Sequence, residues 1–561
     1  MIDREWAGAA IACCLEFEID HFFLAPGSRC TPLTLAVAKR RDVKTTQHFD
    51  ERGLAFAALG YGRATGRPGV FICTSGTAAA NAFPAVIEAS MESIPLILFT
   101  ADRPEALRGS GANQTIEQRN LFGEYPRHFL NLSVTQQDRD SDSSMGVESA
   151  IGQLGQAIEQ SKLGPVHVNW EFCEPFTITD EESSEPTEGS SDPRAIRSGR
   201  PSLRLTDGAK HPAPIEVSGN TLILLGGCQP DEVDEAVKLS ERLGCPLLCD
   251  VTSGLNAGSI ELLCEASLPQ PDTVIHLGGR FVSKAWLNWT EQLKESEALY
   301  IHVTPTGQNI NPHGLELRRV VASLNIVESL FCGPKSSSSF TTAWRKADVN
   351  RSRAIHATLL SETRVSEPSI AFHVSQVCPP EHGLFLGNST PIRDMDWFGQ
   401  RHENATQFVT ANRGASGIDG LLATATGFAK GLRKPTTVLL GDLSTLHDIN
   451  SLALVAASDQ PLVVVVINNR AGHIFDLLPI RESEYFEKYF ATPHHFDFEP
   501  AAKMFGLDYK RVTQQAVFVK EYQHAVRRTE SLILEVVTDR DVNIQVRRRL
   551  NEEIRSCIAS H

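Results

Sequence analysis

Thr436-Thr437-Val438-Leu439-Leu440-Gly441-Asp442-Leu443-Ser444 and Leu462-Val463-Val464-Val465-Val466-Ile467-Asn468-Asn469 are two apolar runs that each end in oxygen-bearing side chains. Runs so short and so continuously apolar predict neighbouring strands of a parallel sheet buried on both faces. Asn450-Ser451-Leu452-Ala453-Leu454 between them predicts a crossover helix that begins near Ser444. Open parallel sheets bind ligands beyond the carboxyl ends of their strands. A magnesium ion takes octahedral oxygen and usually shares its shell with phosphate, so a protein need supply only a few hard donors. Asp442, Asn469 and the carbonyl of Ala471 make such a set, and the free N–H groups of a helix start face a diphosphate. Gly441, Asp442, Leu443, Ser444 and Asn469 are therefore candidates to hold a metal and a diphosphate. Taken singly, Gly-Asp also reads as a strand-to-helix turn and Asn-Asn as a loop; their pairing across one strand-helix-strand unit favours the metal.

The rest of the chain is compatible with an enzyme built around that corner. Its 561 residues predict three or four domains, each able to bury its own core. A formal charge of −15, with no long basic run, argues against a general nucleic-acid surface. Apolar runs fall well short of the roughly 20 residues that span a bilayer, and Met1-Ile2-Asp3-Arg4-Glu5-Trp6 is no signal peptide, so a cytoplasmic protein without membrane insertion is expected. The 12 cysteines show no zinc spacing and read as reduced core thiols.

Three α/β blocks follow one another, each expected to be a doubly wound, mostly parallel sheet. The first, 1–178, alternates strands such as Val70-Phe71-Ile72-Cys73 with helices; 179–217 is a polar, Ser/Pro/Glu-rich linker; 218–332 is a central domain; 333–365 links it to the third block, 366–561, which holds the metal corner. In the central block, Gly226-Gly227 and Gly278-Gly279 follow strands but lack the full G-x-G-x-x-G dinucleotide fingerprint, and no nucleotide is expected there.

A metal and a diphosphate are half of what thiamine diphosphate requires. The other half is an acid, remote from the metal, that exchanges a proton with the aminopyrimidine ring. Glu51, in His48-Phe49-Asp50-Glu51-Arg52-Gly53, follows a strand and opens an Ala-rich helix. On this segment alone Asp50 and Glu51 read first as an N-cap and a first-turn acid. Glu51, the Thr74-Ser75-Gly76-Thr77 turn and the Asp442–Asn469 pair together resemble the thiamine-diphosphate-dependent decarboxylase and synthase superfamily. Ala25-Pro26-Gly27-Ser28-Arg29-Cys30-Thr31-Pro32-Leu33, Thr100-Ala101-Asp102-Arg103-Pro104, Gly111-Ala112-Asn113-Gln114, Asn412-Arg413-Gly414-Ala415-Ser416-Gly417-Ile418-Asp419-Gly420 and Gly472-His473-Ile474-Phe475 resemble, more narrowly, the MenD family of 2-succinyl-5-enolpyruvyl-6-hydroxy-3-cyclohexene-1-carboxylate synthases.

That resemblance implies a transferase of menaquinone biosynthesis. It would decarboxylate 2-oxoglutarate on thiamine diphosphate with Mg²⁺ or Mn²⁺ and add the succinyl carbanion equivalent to isochorismate. It implies Arg393 and Arg413 for the distal carboxylate of 2-oxoglutarate, and Ser28, Arg29, Arg103, Asn113 and Lys284 for isochorismate. Gln114 would face the reacting intermediate, with Glu51, Gln114 and Arg29 the catalytic group. Thr77, Asn388 and Ser389 would hold the cofactor, Ile418 would wedge its rings into their bent form, and Ile474 and Phe475 would keep water from the carbanion. It further implies a homodimer or dimer of dimers with the site between subunits. Arginine forks suit such substrates, since two polyanions must be held beside a carbanion. Three departures stand out: Cys30 where Ser is usual, Arg470-Ala471 in place of an Asn/Gly-like pair, and Ala285 where some relatives carry Arg. The rival readings are an acetohydroxyacid-synthase-like carboligase acting on pyruvate and a non-catalytic regulatory relative.

Overall fold

The computed structural model describes residues 2–133, 144–174, 176, 214–310, 312–315, 317–400 and 406–559; most of the 179–217 linker lies outside them. Three six-stranded, wholly parallel sheets account for the architecture. The first contains β1 (His21–Leu24), β2 (Lys44–Gln47), β3 (Gly69–Cys73), β4 (Leu96–Asp102), β5 (His128–Ser133) and β6 (Pro165–Glu171), in the spatial order 2-1-3-4-6-5. A two-stranded pair, β7 (Ile215–Glu216) and β14 (Phe331–Cys332), accompanies the second sheet. That sheet comprises β8 (Thr221–Leu225), β9 (Leu247–Cys249), β10 (Gly258–Ser259), β11 (Thr273–Leu277), β12 (Leu299–Thr304) and β13 (Arg318–Val321), ordered 10-9-8-11-12-13. The third holds β15 (Gly383–Leu386), β16 (Val409–Thr410), β17 (Thr436–Gly441), β18 (Leu462–Asn468), β19 (Asp508–Val512) and β20 (Leu532–Val537), ordered 16-15-17-18-20-19. The expected doubly wound α/β class is thus observed in each block.

The apolar runs behave as their composition dictates. All seven residues of β18 are buried, and Val438, Leu439 and Leu440 of β17 are wholly inaccessible. The two strands pair with Gly441 opposite Ile467, so Asp442 and Asn469 leave neighbouring strands at the same edge of the sheet. The crossover differs from expectation. Instead of one helix from Ser444 there is a helix Asp442–His447, a 3₁₀ turn Ile449–Ser451 and a second helix Leu452–Ala456. Asp448 makes the break: its fully buried carboxylate accepts the Ala423 N–H at 3.0 Å and the Ser451 hydroxyl at 2.8 Å. A side chain so anchored competes with helix propagation.

The central sheet has the strand order of dinucleotide-binding folds, with its switch point between β8 and β11. The glycine pairs follow those two strands and pack against each other there. A Cβ on Gly226 would stand 2.2 Å from the Gly279 carbonyl oxygen, and the Gly279 N–H donates to Gly227 O at 3.0 Å. Close backbone approach explains these glycines without a phosphate.

The described residues form two compact units. One draws on Met1–Asp207, Gly414–Arg433 and Asp448–Asp459; the other on Gly208–Arg413, Lys434–His447 and Gln460–His561. In the first, the helices Glu51–Thr65 and Leu421–Leu432 pack through glycine. A Cβ on Gly60 would meet the Thr424 carbonyl oxygen at 2.0 Å, and one on Gly427 the Ala57 oxygen at 1.9 Å. Contact of Gly420 with Phe56, and of Gly431 with Ala64, means that the helices run in the same direction. Among the described residues no helix is long and apolar enough to cross a membrane.

Candidate active site

Asp442 is 2 % exposed. Its Oδ1 accepts the Leu443 N–H at 2.6 Å and its Oδ2 the Arg470 N–H at 2.6 Å, while His494 Nε2 lies 3.2 Å from Oδ2 without hydrogen-bond geometry. Asn469 donates its Nδ2 to Glu367 Oε1 at 2.7 Å, and its Oδ1 accepts from the Ala471 N–H at 3.1 Å. A carboxylate acceptor at Nδ2 fixes which end of this amide is oxygen. The Ala471 carbonyl accepts the His473 N–H at 3.0 Å. Asp442 Oδ1, Asn469 Oδ1 and Ala471 O thus keep a lone pair each after one such bond, and a Cβ on Gly441 would meet nothing within 4 Å, so there is room beside them. Carboxylate, amide and carbonyl oxygen are the donors a hard cation takes when phosphate completes its shell. The residues fit magnesium and a diphosphate.

Behind this corner is a buried polar cluster that sequence reasoning missed. Arg547 forks onto both oxygens of Asp394 and donates to Glu367 Oε2 at 2.9 Å; Asn543 Nδ2 donates to Glu367 Oε1 at 3.1 Å. Glu367 therefore ties Asn469 to the helix Arg540–Ala559, and Arg547 ties that helix to Thr390–Phe398. Asn388 and Ser389 precede Thr390–Phe398. Ser389 is its N-cap with φ 75°, a conformation rarely adopted by non-glycine residues. Asn388 is buried, donating to Asn412 O at 2.8 Å and accepting from Arg413 Nη1 at 2.8 Å. Its amide is engaged in positioning Arg413.

The arginines fall into two like-charged pairs. Burial pushes the Arg393 guanidinium below its ordinary pKa, and neighbouring Arg413 pushes it further; burial and then Arg29 do the same to Arg103. Arg393 donates to Ser389 O at 2.6 Å, and Arg103 to Gln114 O at 2.7 Å and to the Ser75 hydroxyl. Juxtaposed guanidinium groups mark a place where an anion is stabilised. Arg29 already has a partner, the exposed Glu174 carboxylate at 2.5 Å, and also donates to Phe172 O at 3.1 Å. An anion arriving there competes with Glu174.

On the other unit's first sheet, Asp50 is the N-cap of Glu51–Thr65: its Oδ1 accepts the N–H of Arg52 at 3.0 Å and of Gly53 at 3.3 Å. The capping role belongs to Asp50, which leaves the half-buried Glu51 carboxylate without hydrogen bond or ion pair among the described residues. Thr77 opens the helix Thr77–Asn81 at the exposed surface, and Ser28, Asn113 and Gln114 are exposed. Gln114 has φ 56° and donates its Nε2 to Ser75 O at 2.9 Å. Ile418 is 38 % exposed, on a loop whose Gly414 and Ala415 N–H groups rest on the buried Glu88 carboxylate at 2.9 and 2.7 Å. Lys284 is exposed at the start of Lys284–Leu293, with no hydrogen bond or ion pair among the described residues. Ile474 and Phe475 are half-buried, and Phe475 packs beside Ala471, Phe486 and Ala491.

The departures have physical explanations. Cys30 Sγ donates to Gly27 O at 3.2 Å, as a serine hydroxyl would. Ala285 is buried in a core with Trp286 and Trp289, and a long cation there has no exit. Arg470 has φ 66°, the left-handed region that favours Asn and Gly.

Family models and curated relatives match the chain along its length. Residues 5–121 match the family described as thiamine pyrophosphate enzyme, N-terminal TPP binding domain. Residues 216–386 match the middle domain of thiamine pyrophosphate enzymes, and 396–536 the C-terminal TPP binding domain. The chain is 37 % identical over 574 residues to the 2-succinyl-5-enolpyruvyl-6-hydroxy-3-cyclohexene-1-carboxylate synthase of Rubrobacter xylanophilus, covering 98 % of each chain. It is 36 % identical to the synthase of the same name from Chlorobium phaeovibrioides, covering 98 % of this chain and 97 % of that one. It is likewise 36 % identical to that of Salinibacter ruber, covering 96 % and 94 %.

Proposed function

The chain belongs to the 2-succinyl-5-enolpyruvyl-6-hydroxy-3-cyclohexene-1-carboxylate synthase family of thiamine-diphosphate enzymes, and from that premise we propose how its residues divide the work. The reaction is decarboxylation of 2-oxoglutarate followed by conjugate addition of the four-carbon fragment to isochorismate, in menaquinone biosynthesis. The observation that carries it is the full-length match to synthases of this one name by a chain whose Asp442–Asn469 corner fits a magnesium diphosphate. Bound thiamine diphosphate supplies the nucleophilic carbon for the 2-oxo group and the electron sink for loss of CO₂. Asp442, Asn469 and the Ala471 carbonyl hold the cation, with Gly441, Leu443, Ser444, Thr77 and Ser389 about the cofactor. Glu51 holds and exchanges the aminopyrimidine proton; its freedom from the capping task supports this.

Arg393 and Arg413 take the distal carboxylate of 2-oxoglutarate, a bidentate task for which the pair is preorganised by Ser389 and Asn388. Ser28, Arg29, Arg103, Asn113 and Lys284 take the carboxylates and hydroxyl of isochorismate. Gln114 faces the reacting carbon. Ile418 supports the cofactor rings, and Ile474 and Phe475 exclude water, the competing proton donor. We further propose domains at 1–178, 218–332 and 366–561, a cytoplasmic setting, for which the free cysteines speak, and a homodimer or dimer of dimers that completes each site. Exposed Phe49 beside the acid (60 %), and Tyr485 (58 %), Tyr489 (61 %) and Phe496 (62 %), support such a contact.

The test is incubation with thiamine diphosphate and Mg²⁺ plus 2-oxoglutarate or pyruvate, with and without isochorismate. CO₂ from 2-oxoglutarate and a product containing both substrates is expected; CO₂ from pyruvate instead overturns the reading. Activity should fall on dilution as subunits part, and a fully active monomer would refute the shared site.

A further inference from the structure

We infer that Gln118, which touches no reacting atom, is the positioning residue of the isochorismate half of the site; this rests on the assignment of Arg103 and Gln114 above. Gln118 is wholly buried. Its Oε1 accepts the Gly76 N–H at 2.8 Å, and its Nε2 donates to Ala101 O at 3.2 Å and to Asn169 Oδ1 at 3.0 Å. One amide thereby joins the turn after β3, the end of β4 and the end of β6, while its own loop carries Asn113 and Gln114.

That loop is fastened a second time above Gln118. The Gln114 carbonyl accepts from Arg103 Nη1 at 2.7 Å and from the Ser75 hydroxyl at 3.2 Å, and the Gln114 side chain donates to Ser75 O at 2.9 Å. Residues 74–77, 100–103 and 113–118 are therefore one lattice. Beneath it, Asn169 donates to Asp102 Oδ2 at 3.0 Å and to Asn131 Oδ1 at 2.8 Å, and accepts from the Thr100 hydroxyl at 2.9 Å. Burying so many polar groups is costly unless each is satisfied. The first sheet does not need them for pairing, because its strands are already joined by backbone ladders. They occur toward the carboxyl ends of β4 and β6, and the loop with Arg103 and Gln114 departs from β4. A site must be held to within about 0.5 Å by just such supporting bonds.

The two half-reactions separate this role from a merely structural one. Arg393 and Arg413 lie in the other compact unit, where Arg393 donates to Ser389 O and Arg413 to Asn388 Oδ1. Gln118→Met keeps the side-chain length but strands the Gly76 N–H and removes one of the two donors to the Asn169 amide oxygen. With thiamine diphosphate and Mg²⁺ saturating, CO₂ release from 2-oxoglutarate alone should stay within about two-fold of the parent, whereas kcat/KM for isochorismate should fall about 100-fold, the effect of a misplacement near 1 Å. Equal loss of both steps, or an unchanged isochorismate step, overturns the proposal. Should Gln118→Met not fold, Gln118→Glu retains the acceptor for Gly76, loses both donated bonds and reads the same split. Arg103→Met is run alongside: if it leaves the isochorismate step intact, the substrate assignment fails, whereas a weakened Arg103→Met beside an intact Gln118→Met refutes the clamp alone.

Discussion

Arg547→Met tests the cluster that braces the proposed metal corner. Arg547 is 7 % exposed, Glu367 2 % and Asp394 0 %, so one guanidinium neutralises two carboxylates that water barely reaches. Burial pushes the Asp394 carboxyl up to about 6 from 3.8 even with Arg547 pulling it down. The residual penalty is about 3 kcal/mol at 1.36 kcal/mol per pKa unit. Removing the arginine exposes the remainder of the desolvation cost, and losing one partner of a buried ion pair typically costs about 3–5 kcal/mol. For a block of roughly 200 residues at about 2–4 °C per kcal/mol, the midpoint of thermal unfolding should drop by roughly 10 °C.

The pH dependence distinguishes this account from simple loss of packing. A carboxyl raised on folding gives stability that is full below 3.8 and lost as the pH rises through about 6, and Arg547 limits that loss. The deficit of Arg547→Met should therefore be largest above pH 7 and shrink below pH 6, where Asp394 is protonated in both proteins. Arg547→Met/Asp394→Leu should recover much of it by removing one stranded anion. Scanning calorimetry between pH 5.5 and 8.5 reads all three. A deficit below about 1 kcal/mol, or one as large at pH 5.5 as at 8.5, would refute the reasoning.

Glu367→Leu frees the Asn469 amide to rotate, so the Mg²⁺ concentration for half-maximal binding of thiamine diphosphate, followed by calorimetric titration, should rise about 10- to 100-fold; unchanged affinity would count against the bracing role. Arg470→Asn relieves a left-handed residue and should stabilise by about 1 kcal/mol, seen as a higher unfolding midpoint; a lower one would mean that the arginine side chain makes a contribution of its own. Glu51→Gln removes the exchanging acid and should cut turnover by about 10²- to 10⁴-fold, and undiminished turnover would rule that role out.

What the sequence reveals here is what is local. Buried apolar runs ending in Asp442 and Asn469 state both the strand and the edge proposed for the site, because backbone pairing forces such runs into the middle of a sheet. The glycine pairs of the central block are equally visible, but their purpose depends on β8 and β11 being neighbours, which no window of residues contains. Asp448 looked like one more helical residue because its partner, the Ala423 N–H, is 25 positions away. Gln118 and Glu367 were missed for the same reason: their partners are 42 and 102 positions distant at Gly76 and Asn469. Arg470 is the converse case. The sequence marked it as a departure, and only the backbone angle explains what the usual residue does there.

The two outer sheets share one strand order, 2-1-3-4-6-5 in the first and 16-15-17-18-20-19 in the third, and the proposed chemistry repeats with the topology. After the first strand of each come Ser28 and Arg29, or Asn388 and Ser389; after the second, Glu51 or Arg413; after the third, Thr77 or Asp442; after the fourth, Arg103 or Asn469. The order reverses between the first and third strands, and there the crevice opens in any sheet so wound. Geometry therefore selects the same four loops twice, and only the side chains placed on them differ. The third sheet carries the proposed metal donors and a guanidinium pair on these loops, the first the proposed acid and a second guanidinium pair. The central sheet has its own switch point, where Gly226 packs against Gly279. A cofactor with a diphosphate at one end and a proton-exchanging ring at the other needs two sets of side chains of different character, and the residues proposed for the two ends follow equivalent strands of the third and first sheets.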